Sequence, residues 1–471
     1  MEQKKTKIVA TIGPASDSKR AITELLEEGV DVFRFNLSHV DHETHGKIFD
    51  RVREISKDTA LMLDTKGPEI RLRDVEENTT ISGGDSIEIT SEEVKGNSSR
   101  LAVNQEGLEE RLEEADRIIL GDGKIVLRVQ EVEEKVSCVV ENGGKLSSQQ
   151  SVNIPGKDVG LSAPTPKDIE DLEFGAEKGF DFVALSFVKE AKDVEEVRDF
   201  LEQKGSNADI IAKIEHLKAV ENFEEILEAS DGVMIARGDL GVEADPARVP
   251  IIQKEYIRKA NEASKPVITA TQMLESMVEN PMATRAEAAD VANAVMDGTD
   301  AVMLSGETAI GDYPVEAVKF MKEIVEEVES SKKDSIHHTV KQKSETVSET
   351  ISKNVWQSTK DLDAKFIVAH TSSGSTARNI AKYRPDKPIM AFTNKKEVKR
   401  KLNLVWGVKP FYSELSDSVD RIVYNSAETL YDKGFVDEED LIVLTAGVPT
   451  GVSGTTNMME IRKIGDLLEE V

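Results

Sequence analysis

Lys213-Ile214-Glu215 and, one helix-length further on, Arg237-Gly238-Asp239 place cations and two carboxylates at the ends of two successive apolar runs. Those runs, Ile210-Ile211-Ala212 and Val233-Met234-Ile235, read as buried strands, so the charges interrupt a core instead of coating a polar face. Glu215 and Asp239 supply hard oxygen donors. They suit Mg2+ or Mn2+, which take few protein carboxylates and complete their shell with water and substrate oxygens. Arg34, Arg71 and Lys213 can neutralise phosphate oxygens. Backbone N–H groups of Gly238 and Asp239, at the start of a helix, can hold a small carboxylate. Asn36, Ser38, Asp64 and Thr65 bring several oxygens and one formal negative charge, a cage for a monovalent cation. Together these types point to phosphoryl transfer assisted by cations. Plainer roles compete: Asp64 capping a turn, or Arg34 pairing with a structural carboxylate.

Such groups need a frame that brings strand ends together. Near-continuous hydrophobic runs at 7–11, 30–35, 60–64, 182–185, 210–213, 233–236, 267–270 and 301–304 read as eight parallel strands covered on both faces. Amphipathic stretches at 19–28, 166–178, 194–204, 253–263 and 284–296 read as helices between them. Gly29, Gly179 and Gly298 mark helix ends, and Thr165-Pro166 reads as a cap followed by proline at the first helical position. Eight strand–helix units predict an α/β fold with a closed (β/α)8 TIM barrel; an open doubly wound sheet is the alternative. In such barrels chemistry lies at the carboxyl ends of the strands, and here nearly every such end is polar or charged while the strand starts are plain.

The rhythm breaks at 70–155, where short β-like runs at 86–90, 117–120, 125–129 and 136–140 alternate with glycine-rich turns. This predicts a small β-barrel domain inserted as a lid between barrel segments 1–69 and 156–333, with hinges at Gly67-Pro68 and Ile154-Pro155-Gly156. A polar linker is expected at 334–343. The unit 344–471 is α/β, with strands at 366–369, 389–392, 409–412 and 441–444 and helices at 375–382 and 418–433.

Composition narrows the partners. The chain has 471 residues, with 60 basic against 89 acidic side chains for a net charge of −29. Such a chain repels nucleic acid and anionic membranes, so neither is an expected partner. An enzyme of anionic substrates on this background needs local cations to reverse the field at its site. The single cysteine, Cys138, excludes a disulfide framework and fits a cytoplasmic location. No apolar segment reads as a signal peptide or membrane span. His39, His42 and His45 read better as a solvated helix face than as a zinc site, having no cysteine or fourth ligand nearby. No Gly-x-x-x-x-Gly-Lys-Ser/Thr loop is present, so a nucleotide is not held by a P-loop.

The segments 34–39, 64–71, 213–215, 236–243, 270–277 and 303–308 resemble the signatures of the pyruvate kinase family, and the resemblance runs over essentially the whole chain. The stretches Ala270-Thr271-Gln272-Met273-Leu274-Glu275-Ser276-Met277 and Met303-Leu304-Ser305-Gly306-Glu307-Thr308 are the most specific. The resemblance implies transfer of a phosphoryl group from phosphoenolpyruvate to ADP, giving pyruvate and ATP at the end of glycolysis. It implies that Glu215 and Asp239 bind Mg2+ or Mn2+, and that Lys213 meets the transferring phosphoryl group. The Gly238 and Asp239 backbone and the Thr271 hydroxyl would hold the substrate carboxylate, and Arg34 would contact the phosphate. Lys213, Thr271 and Arg34 are then the expected catalytic residues. Asn36, Ser38, Asp64 and Thr65 would bind K+, Thr65 through its carbonyl, and Asn36, His39 and Arg71 would approach the nucleotide. Glu69 goes in this family with K+ dependence, a lysine there with independence. Assembly as a homotetramer is implied by the resemblance alone. Glu190 and Ile310 depart from the family pattern, which has a basic residue near the first and a lysine at the second.

Thr371, Ser372, Ser373, Ser375 and Thr376 lie between a strand and a helix and, with the glycine-rich stretch 447–456, could form an anion pocket for a phosphorylated effector. Ordinary turn and cap chemistry accounts for them equally. Two other function classes stay open: a catalytically weak metabolite sensor, and another metal-dependent barrel enzyme acting on enolpyruvate. The intact Lys213, Glu215, Asp239 and Thr271 weigh against the first, and Asn36, His39, Arg71 and the inserted lid against the second.

Overall fold

Eight short runs of almost entirely buried residues pair in parallel and close on themselves. In chain order they are β1 (Lys7–Thr11), β2 (Val32–Asn36), β3 (Ala60–Asp64), β4 (Phe182–Leu185), β5 (Asp209–Ile214), β6 (Gly232–Ala236), β7 (Val267–Ala270) and β8 (Ala301–Leu304). The structure is a computed structural model that describes residues 4–121, 123–133, 135–157, 159–161, 163–331, 346–414, 416, 418–447 and 456–469. The expected closed barrel is therefore present, and the open sheet is excluded.

Its two-layered core explains the uninterrupted apolar runs. Val9, Val32, Met62, Ala184, Ile211, Met234, Ile268 and Met303 fill the barrel interior. Their strand neighbours, such as Ile8, Phe33, Leu63, Val183, Ile210 and Val233, pack outward against the helices. A strand residue pointing either way meets apolar surface, so alternation disappears. The helices carry their own punctuation. Ser18, Asp41, Thr165 and Thr284 accept backbone N–H groups at helix starts. Gly29, Gly179 and Gly298 end helices in the left-handed region at φ 106°, 78° and 91°. The second strand begins two residues later than expected, and the shift matters because Asn36 then pairs in register with Asp64.

Between β3 and β4 lies a seven-stranded sheet that includes Ser86–Thr90, Arg117–Leu120, Ile125–Val132 and Val136–Asn142. It has a separate apolar core of residues such as Ile89, Leu101, Leu120, Leu127 and Val140. Cys138 is buried in it. The last unit is a five-stranded sheet of β9 (Phe366–His370), β10 (Ile389–Thr393), β11 (Val408–Tyr412), β12 (Leu441–Gly447) and β13 (Thr456–Lys463), in the order β11-β10-β9-β12-β13. The antiparallel β13 was not expected. Its residues are mostly half-buried or exposed, so neither an apolar run nor clean alternation announces it. The expected linker 334–343, and most of the glycine-rich stretch 447–456, lie outside the described residues.

This last unit sits at the end of the barrel where the strands begin. Arg384 reaches across to Asp300 at 3.0 and 3.1 Å, to Asn261 Oδ1 at 2.5 Å and to the Gly298 carbonyl at 2.7 Å. Arg400 bonds Asp181 at 2.6 Å, and Lys401 bonds Asp209 at 2.5 Å. Among the described residues no helix is long and apolar enough to cross a membrane.

Candidate active site

At the opposite end, where the strands finish, Lys213 on β5 is the hub. Its Nζ donates to Ser186 Oγ at 2.6 Å and Asp64 Oδ1 at 3.0 Å, and pairs with Glu215 Oε1 at 2.9 Å. Burial alone would lower its pKa, but Asp64 and Glu215 overcome that and hold it above the usual lysine range. Asp64 in turn takes Arg34 Nε at 2.5 Å, while Arg34 also reaches Thr11 Oγ1 at 3.0 Å. Burial pushes the Asp64 carboxyl up, yet Arg34 and then Lys213 outweigh it and keep it below the ordinary value. β-strand alternation explains why Lys213 and Glu215, two apart on one chain, reach the same cleft.

Glu215 is differently placed. Its Oε2 accepts the Phe187 N–H at 2.8 Å. Burial, relieved by Lys213 and reinforced by the charge of Asp239, pushes its carboxyl up to about 7. Asp239 stands in the first turn of the helix Arg237–Glu243 and keeps solvent contact at the cleft. The protein around it still withdraws enough water to push its carboxyl up, Lys213 opposing and Glu69 and Asp64 adding to the effect. Two nearby carboxylates that both resist ionisation carry unbalanced negative charge. A divalent cation would relieve it, and the all-oxygen donor set fits Mg2+ or Mn2+. Glu69 itself is bonded to Arg71 at 2.8 Å, with Lys66 at 3.6 Å.

The expected K+ oxygens are neighbours. Asn36 and Asp64 are register partners on β2 and β3, the Thr65 carbonyl accepts Ser186 Oγ at 2.7 Å, and Asn36 Oδ1 accepts the Ser38 N–H at 3.2 Å. Asp64 is already paired with both Arg34 and Lys213. Gly238 and Thr271, expected at the substrate carboxylate, lie together. Gly238 N–H donates to Thr271 Oγ1 at 2.8 Å, so the two groups expected to hold a carboxylate touch each other directly. Thr271 and Gln272 occupy the left-handed region at φ 67° and 54°, a costly conformation for non-glycine residues and one that clusters at functional sites.

His39 is exposed at the mouth, and Arg71 reaches Glu69 and the Gln149 carbonyl from the first strand of the inserted sheet. The histidine reading needs correction. His45 is buried, its Nε2 3.2 Å from the Asn36 carbonyl, and His42 lies 2.5 Å from buried Asp171, stacked on Phe174. Asp171, on a helix far away in sequence, gave no signal that this face is packed. Among the described residues no cluster of three or more histidine, cysteine or acidic side chains is arranged for a metal. In the last unit Thr371 caps Gly374 N–H at 2.9 Å and Thr376 bonds Thr456 at 2.7 Å, both buried. Their hydroxyls serve the local turn and sheet. Ser372, Ser373 and Ser375 remain partly accessible, the last two bonded at 3.1 Å. Glu190 caps the helix Ala191–Gln203, and Ile310 is exposed.

Two participants were missed. Ser186 joins Lys213, Asp64 and Thr65, but a lone serine after an apolar strand carries no signal of its own. Arg237 bonds the Thr271 carbonyl at 2.8 Å, the Gln272 carbonyl at 3.2 Å and Asp290 at 2.8 Å, which pins the left-handed pair. Its position beside Gly238-Asp239 was visible; its partners were not.

The chain matches the family model "Pyruvate kinase, barrel domain" over residues 3–318 and "Pyruvate kinase, alpha/beta domain" over 349–462. It belongs to the pyruvate kinase family. Pyruvate kinases of Staphylococcus aureus strains MRSA252 and USA300 are 45% identical over 473 residues, covering 98% of this chain and 81% of theirs. A solved pyruvate kinase from Cryptosporidium parvum superposes with a TM-score of 0.93 at 36% identity, covering 98% of this chain and 96% of that one. Membership makes the chain a phosphotransferase of a family that uses a divalent cation and K+.

Proposed function

We propose that the chain transfers the phosphoryl group of phosphoenolpyruvate to ADP, giving pyruvate and ATP in the last step of glycolysis. The observation that carries this reading is Lys213, fixed by Asp64, Ser186 and Glu215 at the centre of a cleft that also holds Arg34 and Asp239. Glu215 and Asp239 would hold Mg2+ or Mn2+, which supplies charge neutralisation for the phosphoryl and enolate oxygens. Asn36, Ser38, Asp64 and the Thr65 carbonyl would hold K+.

Lys213 and Arg34 are preset by their hydrogen bonds and stabilise negative charge as it spreads over phosphoryl oxygens, with little rearrangement during reaction. The substrate carboxylate would take the Gly238 and Asp239 N–H groups and the Thr271 hydroxyl, replacing the bond between Gly238 and Thr271. Thr271 is a poor acid, so its role at the enolate is to orient a proton relay. Asn36, His39 and Arg71 would face ADP. Ser372, Ser373 and Ser375, with Thr371 and Thr376 shaping the turn, would receive a phosphorylated effector. A cytoplasmic homotetramer accompanies the reading. The test is a coupled assay with phosphoenolpyruvate, ADP, Mg2+ and K+. Activity that needs all four supports the reading, and no pyruvate formed from folded protein overturns it.

A further inference from the structure

Strand β2 ends on Asn36, whose carbonyl the barrel ladder cannot serve. The neighbouring chain supplies the Ile12 N–H to the Arg34 carbonyl at 2.9 Å. Two residues further along, at the step that would meet Asn36, it reaches Pro14, which has no N–H. The donor comes instead from the helix that follows β2, His42–Ile55: His45 Nε2 lies 3.2 Å from the Asn36 carbonyl. A carbonyl only accepts, so Nε2 carries the hydrogen.

His45 makes no other side-chain hydrogen bond among the described residues. It is 2% exposed, and its Nδ1 is buried without a partner. An imidazole with one nitrogen unserved is a costly way to fill a core, and an apolar side chain would fill it without that cost. What the ring adds is the bond to Asn36. Its own base is firm. Asp41 caps the helix start by accepting the Thr44 N–H at 2.8 Å, and His42, three residues before His45, lies 2.5 Å from buried Asp171 and stacks on Phe174.

Two further bonds shape the turn after the strand. Asn36 Oδ1 takes the Ser38 N–H at 3.2 Å, and the Leu37 N–H donates to the Asp64 carbonyl at 3.1 Å. The His45 bond ties this turn to the helix. We propose that His45 is a positioning residue of the monovalent-cation cage: by holding the Asn36 carbonyl it fixes where the Asn36 side chain presents its oxygen beside Asp64, its register partner. The inference rests on the reading of Asn36, Ser38, Asp64 and Thr65 as K+ ligands. Groups that orient a cation's ligands from behind contribute to its affinity nearly as the ligands do.

The test compares H45M, H45Q and K178A in the full chain. H45M keeps the bulk and removes the donor. It should raise the K+ concentration for half-activation about tenfold and leave KM for phosphoenolpyruvate at saturating K+ within about twofold. Exchange of the Leu37 amide should accelerate. H45Q places an amide N–H near the position of Nε2 and should behave like the wild type. H45N, whose amide is too short to reach, should behave like H45M and replaces it if H45M does not fold. K178A removes the Lys178–Asp50 pair at 3.0 Å, which joins the same helix to its neighbour further along, and should leave K+ activation as in the wild type. Unchanged half-activation in H45M, H45Q failing as H45M does, or K178A matching H45M would each overturn the proposal. Wild-type protein equally active with K+ and with a large inert cation would overturn the K+ reading instead, and Leu37 exchange would still decide whether His45 holds the strand end.

Discussion

The two ends of the barrel each bury arginine or lysine against aspartate, but they do so to opposite effect. At the end where the strands start, Asp300 takes Arg384 through both oxygens and also the Val267 and Trp406 N–H groups. Asp181 takes Arg53 at 2.7 Å, Arg400 at 2.6 Å and the Leu61 N–H at 3.0 Å. These carboxylates are saturated, and their donors come from the barrel and the C-terminal unit alike. At the other end Glu215 and Asp239 keep surplus negative charge, and the left-handed pair Thr271-Gln272 is held under strain. Saturated pairs fasten; the undersupplied carboxyls are where the proposed divalent cation would sit.

The sharpest way to break this contrast is K213M. It should lower kcat per folded molecule by about a hundred- to a thousandfold, the order that removing one preorganised stabilising group costs, on top of the shift in thermal unfolding that follows from leaving buried Glu215 without its cation. Steady-state kinetics beside calorimetry reads both. R384A should do the reverse. Leaving Asp300 buried without its cation costs about 3–5 kcal/mol, seen as a lowered unfolding midpoint, and the residual folded enzyme should keep its KM values. Equal loss of activity per folded molecule in R384A would erase the distinction between the ends.

Protonation separates the regions again. His370, buried in the C-terminal unit, is pushed down to about 4 by burial. Its folded value lies below the unfolded one, so the fold excludes a proton that the unfolded chain accepts. Stability is therefore full above pH ~6.5 and falls as pH drops towards about 4, by on the order of 3 kcal/mol. H370F should flatten this acid limb in denaturant titrations. The gentlest change is E69K, which places a fixed cation near Asp239 and should remove the dependence on K+ while retaining activity. A variant still activated by K+ over a large inert cation would show that residue 69 does not act through charge.

What the sequence disclosed follows from how signals are stored in a chain. Lys213, Glu215 and Asp239 announced themselves because charges that end apolar runs have no solvent-facing explanation. The eight strands were legible for a related reason: a barrel buries both strand faces, so Val233-Met234-Ile235 carries no interruption. The edge strand Thr456–Lys463 was not, because exposure on one side blurs its pattern. His45 looked solvated because what packs against it, the Phe35 ring and the Asn36 carbonyl, lies on the preceding strand and not on its own helix. Ser186 stayed hidden likewise, and so did the partners that give the visible Arg237 its role.

The hold of Arg237 on the Thr271 and Gln272 carbonyls carries a mechanical corollary. Arg237 opens the helix in which Asp239 follows two residues later, and Gly238 between them is bonded to the Thr271 hydroxyl. That helix and the turn after β7 are thus riveted together at adjacent points. Any tilt that relocates the carboxylate of Asp239 must drag the threonine along with it, so the two halves of the pocket floor travel as one plate.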